Sequence, residues 1–141
     1  MADVARTWLI LTALQQRLQE IRVANGYRTD AGADVRLEPG ELDPQQERIT
    51  LYCLGTYAHG DMLTRGEREM DIVVEASTWA AGADAHARVV AIAEDVEQAL
   101  DRYLQMPLAL PLHFEESVFL ERPEGVPAMV AQLRFTTRYR R

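Results

Sequence analysis

Lysine is absent from this chain: all 15 basic residues among its 141 are arginine. That removes Schiff-base chemistry, a lysine general base and the phosphate-loop lysine together. Cysteine occurs once, at Cys53, which excludes an intrachain disulfide and a cysteine zinc cluster. Its place in an apolar, alternating stretch predicts a buried, inert thiol rather than a nucleophile. The only serines, Ser77 and Ser117, lack the glycine-flanked elbow that exposes a hydrolase nucleophile. His59, His86 and His113 show no pair at metal-ligand spacing. There is no G-x-G-x-x-G cradle for a phosphate and no basic stripe with interleaved aromatics for single-stranded nucleic acid. No apolar run approaches the roughly 20 residues that span a bilayer. The first residues lack the charged, apolar, small-residue succession of a signal peptide, which predicts a protein made and kept in the cytoplasm.

Two clusters remain as candidate chemistry. His59-Gly60-Asp61 places a base beside a carboxylate in a glycine-rich stretch, and Glu115-Glu116 is the one adjacent pair of glutamates. In a strand, neighbouring glutamates point to opposite faces and cannot act on one bond unless a bulge reorients them. The histidine cluster has the composition of a flexible polar loop tip. The expectation is therefore a non-enzyme with no catalytic residue, no cofactor and no metal site, whose function is its surface.

What is present is an ordinary globular composition. Apolar residues make up 48% and charged residues 26%, and the length suits one domain with a single core. The formal charge of −7 opposes binding to phosphate backbones, so no direct nucleic-acid binding is expected. That charge is uneven along the chain. Residues 30–47 carry six carboxylates against Arg36 alone, whereas Arg134, Arg138, Arg140 and Arg141 close the chain with no acid among them. Such asymmetry lets one molecule present an acidic patch and a basic edge to its neighbours, or simply two solvated surfaces.

Periodicity divides the chain into seven elements. Val4, Trp8, Leu11, Leu14, Leu18 and Ile21 recur at spacings of three and four, predicting a helix over about residues 3–23, with Trp8 its largest anchor and Asn25-Gly26 its stop. A short edge strand follows over 33–38, then strands over 48–54 and 69–76, separated by a long loop at 55–68. Asp84 is a plausible N-cap for a second helix reaching about Leu104, with Val89, Ile92, Ala93, Val96 and Leu100 in its apolar stripe. Leu112, Phe114, Val118 and Leu120 share one parity, with a bulge or turn near Glu115-Glu116. The alternation of residues 129–139 predicts a half-buried strand pairing antiparallel with the one before it. The fold class is α+β, two helices packed on an antiparallel or mixed sheet of about five strands in the order α-β-β-β-α-β-β. Trp79 and Phe119 fall outside these alternations; Trp79 reads as a staple at the start of the second helix, Phe119 as a candidate contact residue.

The opening helix ending in Asn25-Gly26-Tyr27-Arg28, the strand over 70–75 that leads to the second helix, and the closing Leu133-Arg134-Phe135-Thr136-Thr137-Arg138-Tyr139 run together resemble the phage tail terminator family and its prophage relatives described as minor tail or tail completion proteins. The resemblance covers most of the chain and consists of element order and composition rather than catalytic signatures. It implies a structural protein that caps the finished tail tube as a hexameric ring. It also implies location at the head-proximal end of the virion tail after assembly in the bacterial host cytoplasm. The partners implied are further copies of itself, the major tail tube protein and head-tail connector proteins, with no membrane. A ring of this kind uses a heterologous interface, in which one face meets a different face of the next subunit. On that basis Asp30, Asp34, Glu41 and Asp43 are expected to approach Arg134 or Arg138 of a neighbour. The 55–68 loop, with Arg65 and Arg68, is expected to project toward the tube, and Phe119 stays a candidate contact. Another neck or tail-completion protein, or a small enzyme using the His59 loop, are the competing readings.

Overall fold

Alternation of apolar residues over Met70, Ile72, Val74 and Ala76 builds the strand at the centre of the molecule, because each of these side chains is fully buried on one face of a sheet. The computed structural model describes residues 4–38, 47–58, 66–79, 84–105, 108–120 and 128–140. Its elements are α1 (Arg6–Leu18), β1 (Val35–Arg36), β2 (Arg48–Ala58), β3 (Glu67–Trp79), α2 (Ala85–Leu100), β4 (His113–Leu120) and β5 (Ala128–Arg140). This is the α+β order that the sequence predicts.

The sheet runs β1-β2-β3-β5-β4. β1 pairs parallel with β2, and every other pairing is antiparallel, so the sheet is mixed. The β3–β5 ladder is unbroken from Glu67↔Arg140 to Trp79↔Ala128. Ile49, Leu51, Ile72, Val74, Leu133 and Phe135 share one face and join Ile10, Leu14, Leu18, Val89, Ile92 and Val96 of the helices in a single core. Each such large side chain contributes about 1.5–3 kcal/mol when fully buried.

Several expected boundaries move. α1 is shorter than residues 3–23, and its buried face is Ile10, Leu11, Leu14 and Leu18 rather than the series that begins with Val4 and Trp8. Trp8 is 43% exposed and is not the anchor. The physical reason is that Trp8-Leu9-Ile10-Leu11 is apolar all round the helix, so spacing alone selects two overlapping stripes; packing chooses the Ile10, Leu14, Leu18 series. Gly26 does take the left-handed conformation, at φ 92°, but it closes a single 3-10 turn at Val23–Asn25 after α1 has ended at Leu18.

The 55–68 loop shrinks from both ends. A bulge between Cys53 and Gly55 lets β2 resume its pairing and continue to Ala58↔Arg68, so residues 55–58 and 67–68 are strand. α2 ends at Leu100, not Leu104, because Asp101 leaves the helix in an extended conformation and Arg102 takes φ 61°. The chain then folds back, with Arg102 N donating to Leu112 O at 2.8 Å and Leu112 N to Tyr103 O at 3.1 Å. Asp84 occupies the N-cap position without a side-chain cap hydrogen bond. Trp79, expected as a staple for α2, is the last residue of β3, opposite Ala128 and 48% exposed.

Candidate functional site

Two charged regions and one buried carboxylate organise the surface. The first region is the sheet face turned away from the core. In register across β2, β3, β5 and β4 stand Tyr52, Val73, Arg134 and Glu116, followed by Thr50, Glu75, Gln132 and Val118. Most of their polar groups bond one another, although Arg134 Nε has no hydrogen-bond partner among the described residues. Tyr52 Oη and Gln132 Nε2 both donate to Glu75 Oε1, at 3.2 and 3.0 Å. Burial and the Glu75 carboxylate together raise the Tyr52 phenol above its ordinary range. Arg134 pairs with Glu116 at 3.3 Å and lies 3.9 Å from Asp71.

The expected irregularity at Glu115-Glu116 is a β-bulge between Phe114 and Glu116. It brings both glutamates to β5 side chains of one face, since Thr136 Oγ1 donates to Glu115 at 2.9 Å while Arg134 donates to Glu116. These carboxylates are occupied as cross-strand partners.

The second region lies at the sheet end where β5 finishes. Arg138 and Arg140 alternate along β5, and Arg6 opens α1 beside them. With Glu67, Leu108, Ala109, Leu110 and Tyr139 they line a cleft of about 310 Å³, in which Glu67 stands opposite Arg140 in the β3–β5 ladder. A hydrogen bond from Leu110 N to Arg138 O at 2.9 Å holds the cleft floor to β5. Arg6, Arg138 and Arg140 make no ion pair among the described residues.

The buried carboxylate is Asp95, on α2 and fully inaccessible. It receives Arg28 N at 2.9 and 3.1 Å, Thr29 N at 2.8 Å, Thr29 Oγ1 at 2.8 Å and the Arg28 guanidinium at 3.2 Å. The Tyr27-Arg28-Thr29 run is thus a strap tied to α2. Arg28, held there, also pairs with Glu94 at 3.2 Å and borders a shallow groove with Glu97, Gln98 and Asp101.

The expected contact residues divide by what already holds them. Asp34 is bonded to Arg36 at 2.9 Å and Arg48 at 3.0 Å within its own chain. Burial opposes ionisation of Asp34, but the two arginines win and hold its carboxyl below the ordinary value of 3.8. Asp30 accepts a bond from Val23 N at 2.8 Å and remains exposed. Arg134 is engaged as described, whereas Arg138 is exposed. Arg68 donates to the Glu67 carbonyl at 3.1 Å. Phe119 is 40% exposed on the edge strand β4, its ring 5.9 Å from that of His86. Glu41, Asp43, Arg65 and the His59-Gly60-Asp61 cluster lie outside the described residues. Cys53 is half-buried, with burial the main cause of a raised thiol pKa.

Sequence reasoning missed Arg6 and Asp95. The signal for Asp95 was available: it stands three residues after Ile92 and one before Val96, inside the apolar arc, where a lone carboxylate needs partners. Among the described residues no group of three or more His, Cys, Asp or Glu side chains is placed to hold a metal ion. No helix among them is long and apolar enough to cross a membrane.

No family model matches the chain, and no curated protein matches it in sequence. Among solved structures, it is similar to a chain of the virion of a native gene transfer agent particle. The TM-score is 0.69 at 20% identity, over 91% of this chain and 92% of that one. At that identity the likeness shows a shared fold across nearly the whole of both chains.

Proposed function

We propose that this chain is a structural subunit of a phage-like tail, one that ends the tail tube as a ring at its head-proximal end and offers the surface to which the head joins. The observation that carries this reading is the near full-length fold match to a chain of a gene transfer agent virion, a phage-like particle. It agrees in class with the tail terminator resemblance of the opening helix, the strand before α2 and the arginine-lined β5, which is an independent line from sequence. The described surface is consistent with it, because its carboxylates at Glu75, Glu115 and Glu116 serve as structural partners rather than standing free in a pocket. On this reading the protein is not an enzyme, and its partners are copies of itself, the tail tube protein and the head-tail connector.

A second reading, another neck or tail-completion subunit, is favoured by the same observation, since the matched structure is named for its whole virion. Complementation separates the two. A phage lacking its tail terminator, supplied with this protein, should give tails of normal length by electron microscopy. Overlong tube extensions in the presence of soluble, folded protein would overturn the terminator reading in favour of the second.

A further inference from the structure

Six of the twelve described arginines are already matched to a carboxylate of their own chain: Arg17 to Glu20, Arg28 to Glu94 and Asp95, Arg36 and Arg48 to Asp34, Arg88 to Glu47, Arg134 to Glu116. Arg6, Arg138 and Arg140 stand together around one cleft, whose lining sets these three arginines against the single carboxylate of Glu67. That cleft continues, through Arg6 and Tyr139, into a wider groove bordered by Val4, Leu9 and Arg68. Val4, Leu9 and Leu110 are exposed apolar side chains here. Arginines beside exposed apolar groups have the composition of an interface core rather than of a solvated face.

The complementary surface is on the same molecule. Glu94, Glu97, Gln98 and Asp101 fall on one side of α2, at spacings of three and four, and border the groove against Arg28. Three carboxylates there face a single arginine. The linings of the basic cleft and of this acidic groove share no residue, so one copy can use both at once.

We infer that the basic cleft formed by Arg6, Arg138 and Arg140 receives the Glu94–Glu97–Asp101 face of α2 from a second copy of this chain, head to tail. The occupant is a second copy because the required charge and groove are both carried by the chain itself. The net charge of −7 makes copies repel at long range, so only this local match brings them together. Since each copy offers a donor face and a distinct acceptor face, the contact is heterologous and repeats from subunit to subunit. This gives the ring of the proposed function its contact, and it rests on that reading only for the closure of the chain of copies into a ring.

The test uses the full chain and measures mass by sedimentation at low and high salt. The wild type should associate at tens of micromolar in roughly 50 mM salt and dissociate toward roughly 500 mM, because exposed pairs are screened over a shrinking Debye length. The pair Arg138→Glu with Arg140→Glu, and separately Glu94→Arg with Glu97→Arg, should each weaken association at least about 30-fold. Asp101 is left intact because its carboxylate accepts Phe114 N at 3.2 Å. All four changes in one chain reverse both faces and should restore association to within about threefold of the wild type. Circular dichroism establishes that each variant is folded.

A wild type that stays monomeric, or a fourfold variant no better than either pair, would overturn the inference. Self-association that survives the arginine changes while binding to tail tube protein is lost would assign the cleft to the tube instead. Tail lengths in complementation keep the two proposals apart. Restored association without normal tails removes the terminator reading and leaves the contact standing; normal tails from either variant with only one face reversed remove the contact and leave the reading.

Discussion

Replacing Asp95 by alanine should lower stability by about 3 kcal/mol. The carboxylate accepts from two backbone amides, a hydroxyl and a guanidinium at 2.8–3.2 Å. The guanidinium of Arg28 is half-exposed and keeps Glu94, so its loss is minor. The amide and hydroxyl of Thr29, a residue that is 1% exposed, lose their acceptor inside the protein. Each buried donor left without a partner costs about 1–3 kcal/mol, and the Arg28 amide, nearer the surface, adds a smaller amount. Water entering the small space relieves part of the total.

For 141 residues the unfolding entropy is about 0.3 kcal/mol per kelvin, so about 3 kcal/mol corresponds to a melting temperature lower by about 10 °C. Calorimetry at one fixed protein concentration measures this without interference from self-association. Thr29→Val should cost about 1.5–3 kcal/mol alone. Because it removes the same bond, the double variant should fall short of the sum by at least about 1 kcal/mol. A melting temperature for Asp95→Ala within about 3 °C of the wild type, or a fully additive cycle, would refute the account of Asp95 as the tie between the strap and α2.

Three further outcomes are expected. A Cβ on Gly32 would meet the carbonyl oxygens of Leu18, Gln19 and Ile21 at 2.7 Å, so Gly32→Ala should destabilise by about 2 kcal/mol or more in urea unfolding, and an unchanged midpoint would show that the α1 end yields freely. The Asp34 carboxyl is lowered in the folded state, so its stabilisation is complete above the ordinary value of 3.8 and is lost as pH falls from there through the lower folded value. Asp34→Asn should therefore be less stable than the wild type at neutral pH, with a gap that closes under acid, and a gap independent of pH would refute the pairing with Arg36 and Arg48. Burial raises the Cys53 thiol, so its reaction with an aromatic disulfide reagent at pH 8 should be at least about tenfold slower than that of free cysteine, and an equal rate would contradict its half-buried place at the β2 bulge.

Strand identity was legible in the sequence because period 2 and burial coincide in β3 and β5: Ile72, Val74, Leu133 and Phe135 are where alternation put them. The bulge beside Glu116 was legible too, since a charged residue breaks an otherwise apolar parity. The rest depended on choices that local pattern does not make. The all-apolar turn Trp8-Leu9-Ile10-Leu11 left the buried stripe of α1 open, and only contact with β2 and α2 selects Ile10 over Trp8. Gly55 looked like a loop residue, yet as part of a bulge it keeps β2 paired. The Arg6 cleft was invisible because Arg6 lies more than 130 positions from Arg138 and Arg140 in the chain and meets them only through the end of the sheet.

The sorting of charges bears directly on what the surface does. A formal charge counts equally in a sequence whether its partner is at home or elsewhere, which is why residues 30–47 stood out by number of carboxylates. In the fold, Asp34 and Glu47 from that segment are bound to Arg48 and Arg88, and Arg134 from the basic end is bound to Glu116. An intermolecular contact made by such a group must first release its own partner, and that loss cancels most of what a new pair contributes. A group still facing water has no such cost beyond its own desolvation, so the useful asymmetry of this molecule resides in Arg6, Arg138 and Arg140 and in Glu97 of α2, while Glu94 beside it gives up only a half-exposed pair with Arg28. Of the residues singled out by charge alone, both criteria select Arg138 and Arg140: they belong to the basic end in sequence, and they are exposed and make no ion pair among the described residues. A charge reversal at Arg138 should therefore affect assembly with little effect on folding, whereas the same change at Arg134, which would face Asp71 and Glu116, should destabilise the monomer first.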